Sequence, residues 1–115
     1  MSASKAKGSG FELEVVRAHQ RLGITARKMP LSGALGGELS GDVQIAGLKG
    51  ECKRRKKGFT GLYKALEQGG GNDVLFIRDD RRETLVVLPW HTWVLFLDWA
   101  RLAETNFQIT GESDE

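Results

Sequence analysis

The sequence predicts an α/β fold, a single domain in which a mixed five-stranded sheet is flanked by helices in the order α-β-β-β-α-β-β-α. Three observations predict it. Apolar residues recur at three- and four-residue spacing near the start of the chain and again after Pro89, which marks helices. Five short β-rich runs are bounded by Gly, Pro and Asp, which marks strands. The runs fall as three, then a helix, then two, so the middle helix reads as a crossover within one sheet.

Ser9-Gly10-Phe11-Glu12 has the spacing of a helix capping box, with Ser9 as cap. The helix is expected to reach Leu22 and to stop at Gly23. Phe11, Val15, Ala18 and Leu22 form its apolar stripe, with Glu12, Val16 and His19 along the flank. Ile24–Met29 is expected as a strand with Ile24, Ala26 and Lys28 on one face; Pro30 ends it. Leu31–Ser40 has no hydrophobic period and is rich in Gly and Ser, so it is expected as a loop. Asp42–Ala46 and Lys49–Arg54 are expected strands joined at Gly47-Leu48. A short helix follows over Phe59–Glu67, halted by Gly69-Gly70-Gly71. Asp73–Arg78 and Thr84–Leu88 are the last strands, and a helix over His91–Ala103 closes the fold. Residues 1–8 are expected as a flexible basic arm, 9–104 as the domain and 105–115 as a polar, acidic tail.

With 115 residues, 40% hydrophobic and 28% charged, the chain has the composition of a soluble globular domain with one modest core. Its longest apolar run, Trp93–Leu97, is too short to span a bilayer, and the first ten residues lack the apolar core of a signal peptide. A cytoplasmic protein without a membrane partner is expected. The single Cys52 excludes an intrachain disulfide and a cysteine-based zinc site, and reads as a small hydrophobe in a strand.

The chemistry is concentrated in Asp42, Glu51 and Lys53. Strand side chains alternate, so Glu51 and Lys53 should share a face while Cys52 points the other way. Two carboxylates beside an ammonium suit phosphodiester hydrolysis. Oxygen ligands hold a hard divalent cation, and the lysine stabilises or activates the attacking water. The basic run Lys53-Arg54-Arg55-Lys56-Lys57 grows out of this motif. Residues 1–103 hold all 17 basic residues against 11 acidic ones, a net charge of +6, so this face should attract a polyanion.

In this order the motifs resemble the PD-(D/E)XK nuclease superfamily, and within it the archaeal-type Holliday junction resolvases, including phage-encoded versions. The resemblance rests on Lys7-Gly8 followed by Glu12, on Arg27, Ser32-Gly33 and Asp42, and on Glu51-Cys52-Lys53 with the basic residues after it. It covers residues 5–90, and Gly41 stands where the superfamily name places proline. It implies a restriction-endonuclease-like fold and a Mg²⁺- or Mn²⁺-dependent endodeoxyribonuclease. Asp42, Glu51 and Glu12 would bind the metal, with the Cys52 backbone carbonyl as a further ligand. Lys53 would orient the water, and Ser32 would contact a phosphate or the metal-bound water. Lys7, Arg27, Arg54, Arg55, Lys56 and Lys57 would contact DNA phosphates.

The implied substrate is a four-way DNA junction, and the implied assembly a homodimer that places two identical sites on a substrate needing two cuts. The aromatic loading of the last segment, with Trp90, Trp93, Phe96 and Trp99, makes it the first candidate interface. The resemblance places the protein in a bacterial or archaeal cytoplasm, possibly phage-encoded. The alternatives are a phage or mobile-element nickase or repair nuclease of the same fold, and a non-catalytic DNA-binding module.

Overall fold

The computed structural model describes residues 3–30 and 42–111. It is a mixed α/β structure with three helices and two small antiparallel sheets. In chain order the elements are α1 (Ala3–Arg21), β1 (Ala26–Lys28), β2 (Val43–Ile45), β3 (Leu48–Gly50), α2 (Thr60–Glu67), β4 (Leu75–Ile77), β5 (Leu85–Val87) and α3 (Trp90–Gly111). A 3₁₀ turn, Gln68–Gly70, follows α2. The order of helices and strands matches the expectation, but the single five-stranded sheet does not. Strands β1, β2 and β3 form one sheet, and β4 and β5 another. The ladder of β3 ends at Gly50, and Lys53–Lys57 are all exposed. Five adjacent cations are better hydrated than paired in a strand interior. The chain parts into two compact units after Lys56.

The first unit packs α1 against the three-stranded sheet. Helix α1 covers Ala3–Arg21, so Ser9 is an interior residue and not the expected cap position. Ala3, Lys5, Ala6 and Lys7 are strong helix formers, and they carry the helix upstream through Gly8 and Gly10. The helix ends as expected: Gly23 has φ +81°, its N–H donates to Gln20 O at 2.9 Å, and the Ile24 N–H donates to His19 O at 3.0 Å. That pair of bonds is a Schellman cap.

The buried ridge of α1 is Val16 and His19, the residues expected on its flank. Phe11, Val15, Ala18 and Leu22 are half-buried beside it. The rotation brings Glu12 to the sheet side of the helix. Val16 packs with Ala26, Val43 and Ile45, and Val15, Ile24 and Cys52 close around them. His19 is satisfied inside this core, its Nδ1 lying 2.8 Å from Val15 O.

Strands β2 and β3 pair with Val43 opposite Gly50 and Ile45 opposite Leu48. The two-residue turn is Ala46-Gly47, one residue earlier than expected, with φ of +50° and +85°. Positive φ at both positions matches the right-handed twist of the flanking strands. Ala46, which carries a Cβ, is held there by a 2.8 Å bond from its N–H to Thr25 O. Gly50 is required by packing: a Cβ on it would lie 2.9 Å from Cγ2 of Val43, the most buried side chain described.

In the second unit the side chain of Asn72 caps α2, donating to Ala65 O and Gln68 O at 2.9 and 3.2 Å. Strand β4 pairs with β5, Phe76 opposite Val86. Helix α3 runs past the expected Ala103 to Gly111. Phe96 and Trp99 meet edge to face on it, ring centres 5.2 Å apart. Among the described residues, no helix is long and apolar enough to cross a membrane.

Candidate active site

Continuing the β2–β3 ladder by one pair beyond Val43 and Gly50 sets Asp42 against Glu51. Like charges directly opposite in a sheet are unfavourable, so this pairing is not explained by stability. Asp42 is half-buried, and both its main chain and its side chain are held. Its N–H donates to Gly50 O at 2.9 Å, its carbonyl accepts from Met29 N–H at 3.0 Å, and its Oδ2 accepts from Cys52 N–H at 2.9 Å.

Glu51 and Lys53 are exposed and Cys52 between them is half-buried, the alternation the sequence predicts. They lie just past the end of β3 rather than within a strand reaching Arg54. A hydrogen bond to Asp42 holds the Glu51 carboxyl above the ordinary glutamate range. The negative charges of Asp42 and Glu12 add to this, and Lys53 opposes it. Burial pushes the Cys52 thiol up to about 11, helped by the charges of Asp42, Glu12 and Glu51.

The fold therefore gathers Glu12 from α1, Asp42 from the start of β2 and Glu51, Cys52 and Lys53 from the end of β3 into one electrostatic cluster. Glu12 is only 14% exposed along its side chain. Its Oε2 lies 3.6 Å from Lys28 Nζ, a residue not foreseen at the site. The signal was present in the sequence: Ala26 faces the core, so Lys28, two residues on, projects from the same face toward α1.

Among the described residues no three His, Cys, Asp or Glu side chains stand close enough together to hold a metal ion as they are placed. The donor chemistry nonetheless suits a hard cation. Two hydrogen-bonded carboxylates and the adjacent Cys52 carbonyl are all oxygen donors, and their mutual repulsion is the kind a divalent ion relieves.

Arg54, Arg55, Lys56 and Lys57 are exposed immediately after Lys53. Arg27 is exposed on the sheet face opposite the core, where its Nε donates to Gln44 Oε1 at 2.9 Å. Ser32 lies outside the described residues, as does the side chain of Lys7. Compared with known proteins, the chain matches no family model, no curated protein and no solved structure.

Proposed function

We propose that the chain is a metal-dependent, structure-selective endonuclease of the PD-(D/E)XK kind that resolves four-way DNA junctions as a homodimer. The observation that carries this reading is the Asp42–Glu51 carboxyl pair, with Glu12 on α1 and Lys53 beyond the end of β3 acting on it. Asp42, Glu51 and the Cys52 carbonyl would hold Mg²⁺ or Mn²⁺, with Glu12 completing the charge of the site. Bound there, the ion supplies Lewis acidity to the scissile phosphate and its attacking water.

The remaining work falls to the chain's own side chains. Lys53 orients the water and offsets the charge that grows on the phosphoryl oxygens as the new P–O bond forms and the ester P–O bond breaks. The attacking water gives up a proton to solvent, and the departing ester oxygen takes one up. Arg54, Arg55, Lys56 and Lys57 bind flanking phosphates and set the register of the DNA. Arg27 and Lys7 extend that contact, and Ser32 holds a phosphate or the water.

The test is cleavage of a labelled four-way junction, with and without Mg²⁺, beside matched duplex, flap and single-stranded DNA. Mg²⁺-dependent paired cuts in the junction support the full reading. Cuts confined to flap or nicked duplex shift it to a repair nuclease or nickase of the same chemistry. Junction binding with no cleavage in either metal would leave a DNA-binding module.

A further inference from the structure

The second unit contains a half-open cavity of about 810 Å³ that takes no part in the proposed nuclease chemistry. Its size falls within the range of pockets that enclose small organic ligands. Phe59, Tyr63 and Trp90 line it, with Leu62, Val87 and Leu88. These side chains have not collapsed into a core. The buried hydrophobic side chains among the described residues, Val16, Ala26, Met29, Val43 and Ile45, all belong to the first unit. The cavity therefore leaves apolar surface wetted that a ligand of matching shape would cover, at about 25 cal/mol per Å² removed from water.

The wall beside α2 is built by Gly70 and Gly71, with φ of +89° and +110°. A Cβ on either would meet nothing within 4 Å, so glycine is needed there for the backbone bend and not for room. The bend carries the chain from Glu67 to Asp73, and both acidic residues line the cavity. No lysine or arginine is found among the described residues lining it, although the chain carries 17 of them. His91 Nε2 lies 3.4 Å from Asp73 Oδ1 at the same cavity. The Asn72 amide at the cavity is engaged with Ala65 O and Gln68 O.

Three aromatic and two acidic residues, with no lysine or arginine among the described lining residues, favour positive charge on an apolar body. The ring quadrupoles attract it, and the carboxylates accept its hydrogen bonds. We infer that this cavity is a binding site for a small organic cation, an ammonium or guanidinium group carried on an aromatic or branched apolar body. None of the described residues assigned above to DNA contact lines this cavity, so the inference does not depend on that reading.

The test uses three probes of one shape on the full ¹⁵N-labelled chain at pH 7.5: 2-phenylethylammonium, 2-phenylethanol and 3-phenylpropanoate. Binding is read from the Trp90 indole and the Gly70 and Gly71 amide resonances. The ammonium should bind at least tenfold more tightly than the carboxylate, with the alcohol between them. Glu67→Gln with Asp73→Asn should reduce that preference to threefold or less. Tyr63→Leu should weaken the ammonium severalfold while leaving resonances remote from the cavity in place. Equal affinity for ammonium and carboxylate, shifts confined to residues outside the cavity, or a preference unchanged in the double variant would overturn the site. Tighter binding of an acetyl-Phe-Lys-amide peptide than of the free ammonium would overturn the small-molecule assignment in favour of a peptide side chain.

Discussion

The backbone N–H of Cys52 donates to the Asp42 carboxylate at 2.9 Å, tying the residue between Glu51 and Lys53 to the acid across the hairpin. This hydrogen bond joins the acid–lysine motif to the facing strand end. It orients the Asp42 carboxyl through the main chain, and Glu51 engages the same carboxyl from the facing strand end. The Asp42→Asn variant keeps a carbonyl oxygen for the Cys52 bond and removes the charge. It should abolish Mg²⁺-dependent junction cleavage and leave junction affinity within a fewfold, because the basic run still attracts phosphate. Glu51→Gln should do the same. Wild-type cleavage in either variant, measured on labelled junctions, would remove the proposed site.

Neutralising Arg54, Arg55, Lys56 and Lys57 together should weaken DNA binding and flatten its salt dependence. Every phosphate that the variant no longer neutralises lowers the slope of log affinity against log salt by about 0.9. An unchanged slope in a fluorescence-anisotropy titration would place the DNA elsewhere on the surface.

The Asp42–Glu51 pair also makes stability depend on pH. The Glu51 carboxyl is raised by the hydrogen bond to Asp42 and by like charge, so the folded chain holds this proton more tightly than the unfolded chain. The resulting stabilisation is fully present below the ordinary glutamate range and is lost as pH rises through the raised value. Wild-type protein should therefore lose stability relative to Glu51→Gln across that window, without added metal. Parallel denaturation midpoints of the two proteins at every pH would show that the carboxyls do not share a proton.

Cys52 offers a chemical probe of the same corner. Its thiol titrates at about 11 against an ordinary 9.0. Near pH 8 the folded chain should then carry about 100-fold less thiolate than the unfolded chain and react more slowly with iodoacetamide, by less than that factor because a more basic thiolate is more nucleophilic. Equal alkylation rates in buffer and in denaturant would mean that Cys52 is not held against the core as described.

Trp93 is half-buried and Trp99 is 56% exposed on the same helix, so substitutions there should separate folding from assembly. Trp93→Ala should lower stability by up to about 3 kcal/mol. Trp99→Ala should leave a folded chain that binds junctions but no longer dimerises or makes paired cuts. Light scattering that shows wild-type protein as a monomer while it still cuts bilaterally would defeat the homodimer, whereas a dimer that survives Trp99→Ala would move its interface off this helix face.

Much of the candidate site was legible because its signals are local. Alternation along Glu51-Cys52-Lys53 sets two side chains against a third wherever the backbone is extended, and it survives although β3 itself ends at Gly50. Gly23 ends α1 as read, since only a residue without a Cβ takes φ of +81° freely. Other details turned on choices that local pattern leaves open. Ala46-Gly47 and Gly47-Leu48 are both plausible turns by sequence; the bond from Ala46 N–H to Thr25 O selects the first. Phe11, Val15, Ala18 and Leu22 read as the apolar stripe and are half-buried, while packing of Val16 against Val43 and Ile45 buries the flank residues Val16 and His19 more deeply.

By itself, then, the sequence determined the order of helices and strands, the hairpin that carries Asp42 and Glu51, and the basic run that follows. All three rest on propensity, periodicity and chain-neighbour spacing. Only the tertiary structure decided that the strands divide into sheets of three and two, that Lys28 lies 3.6 Å from Glu12, and that Glu12 adds its charge to the Asp42–Glu51 pair. Those relationships join residues distant in the chain. They depend on which faces bury together, and no window of a few residues contains that balance of burial, hydration and loop-closure entropy.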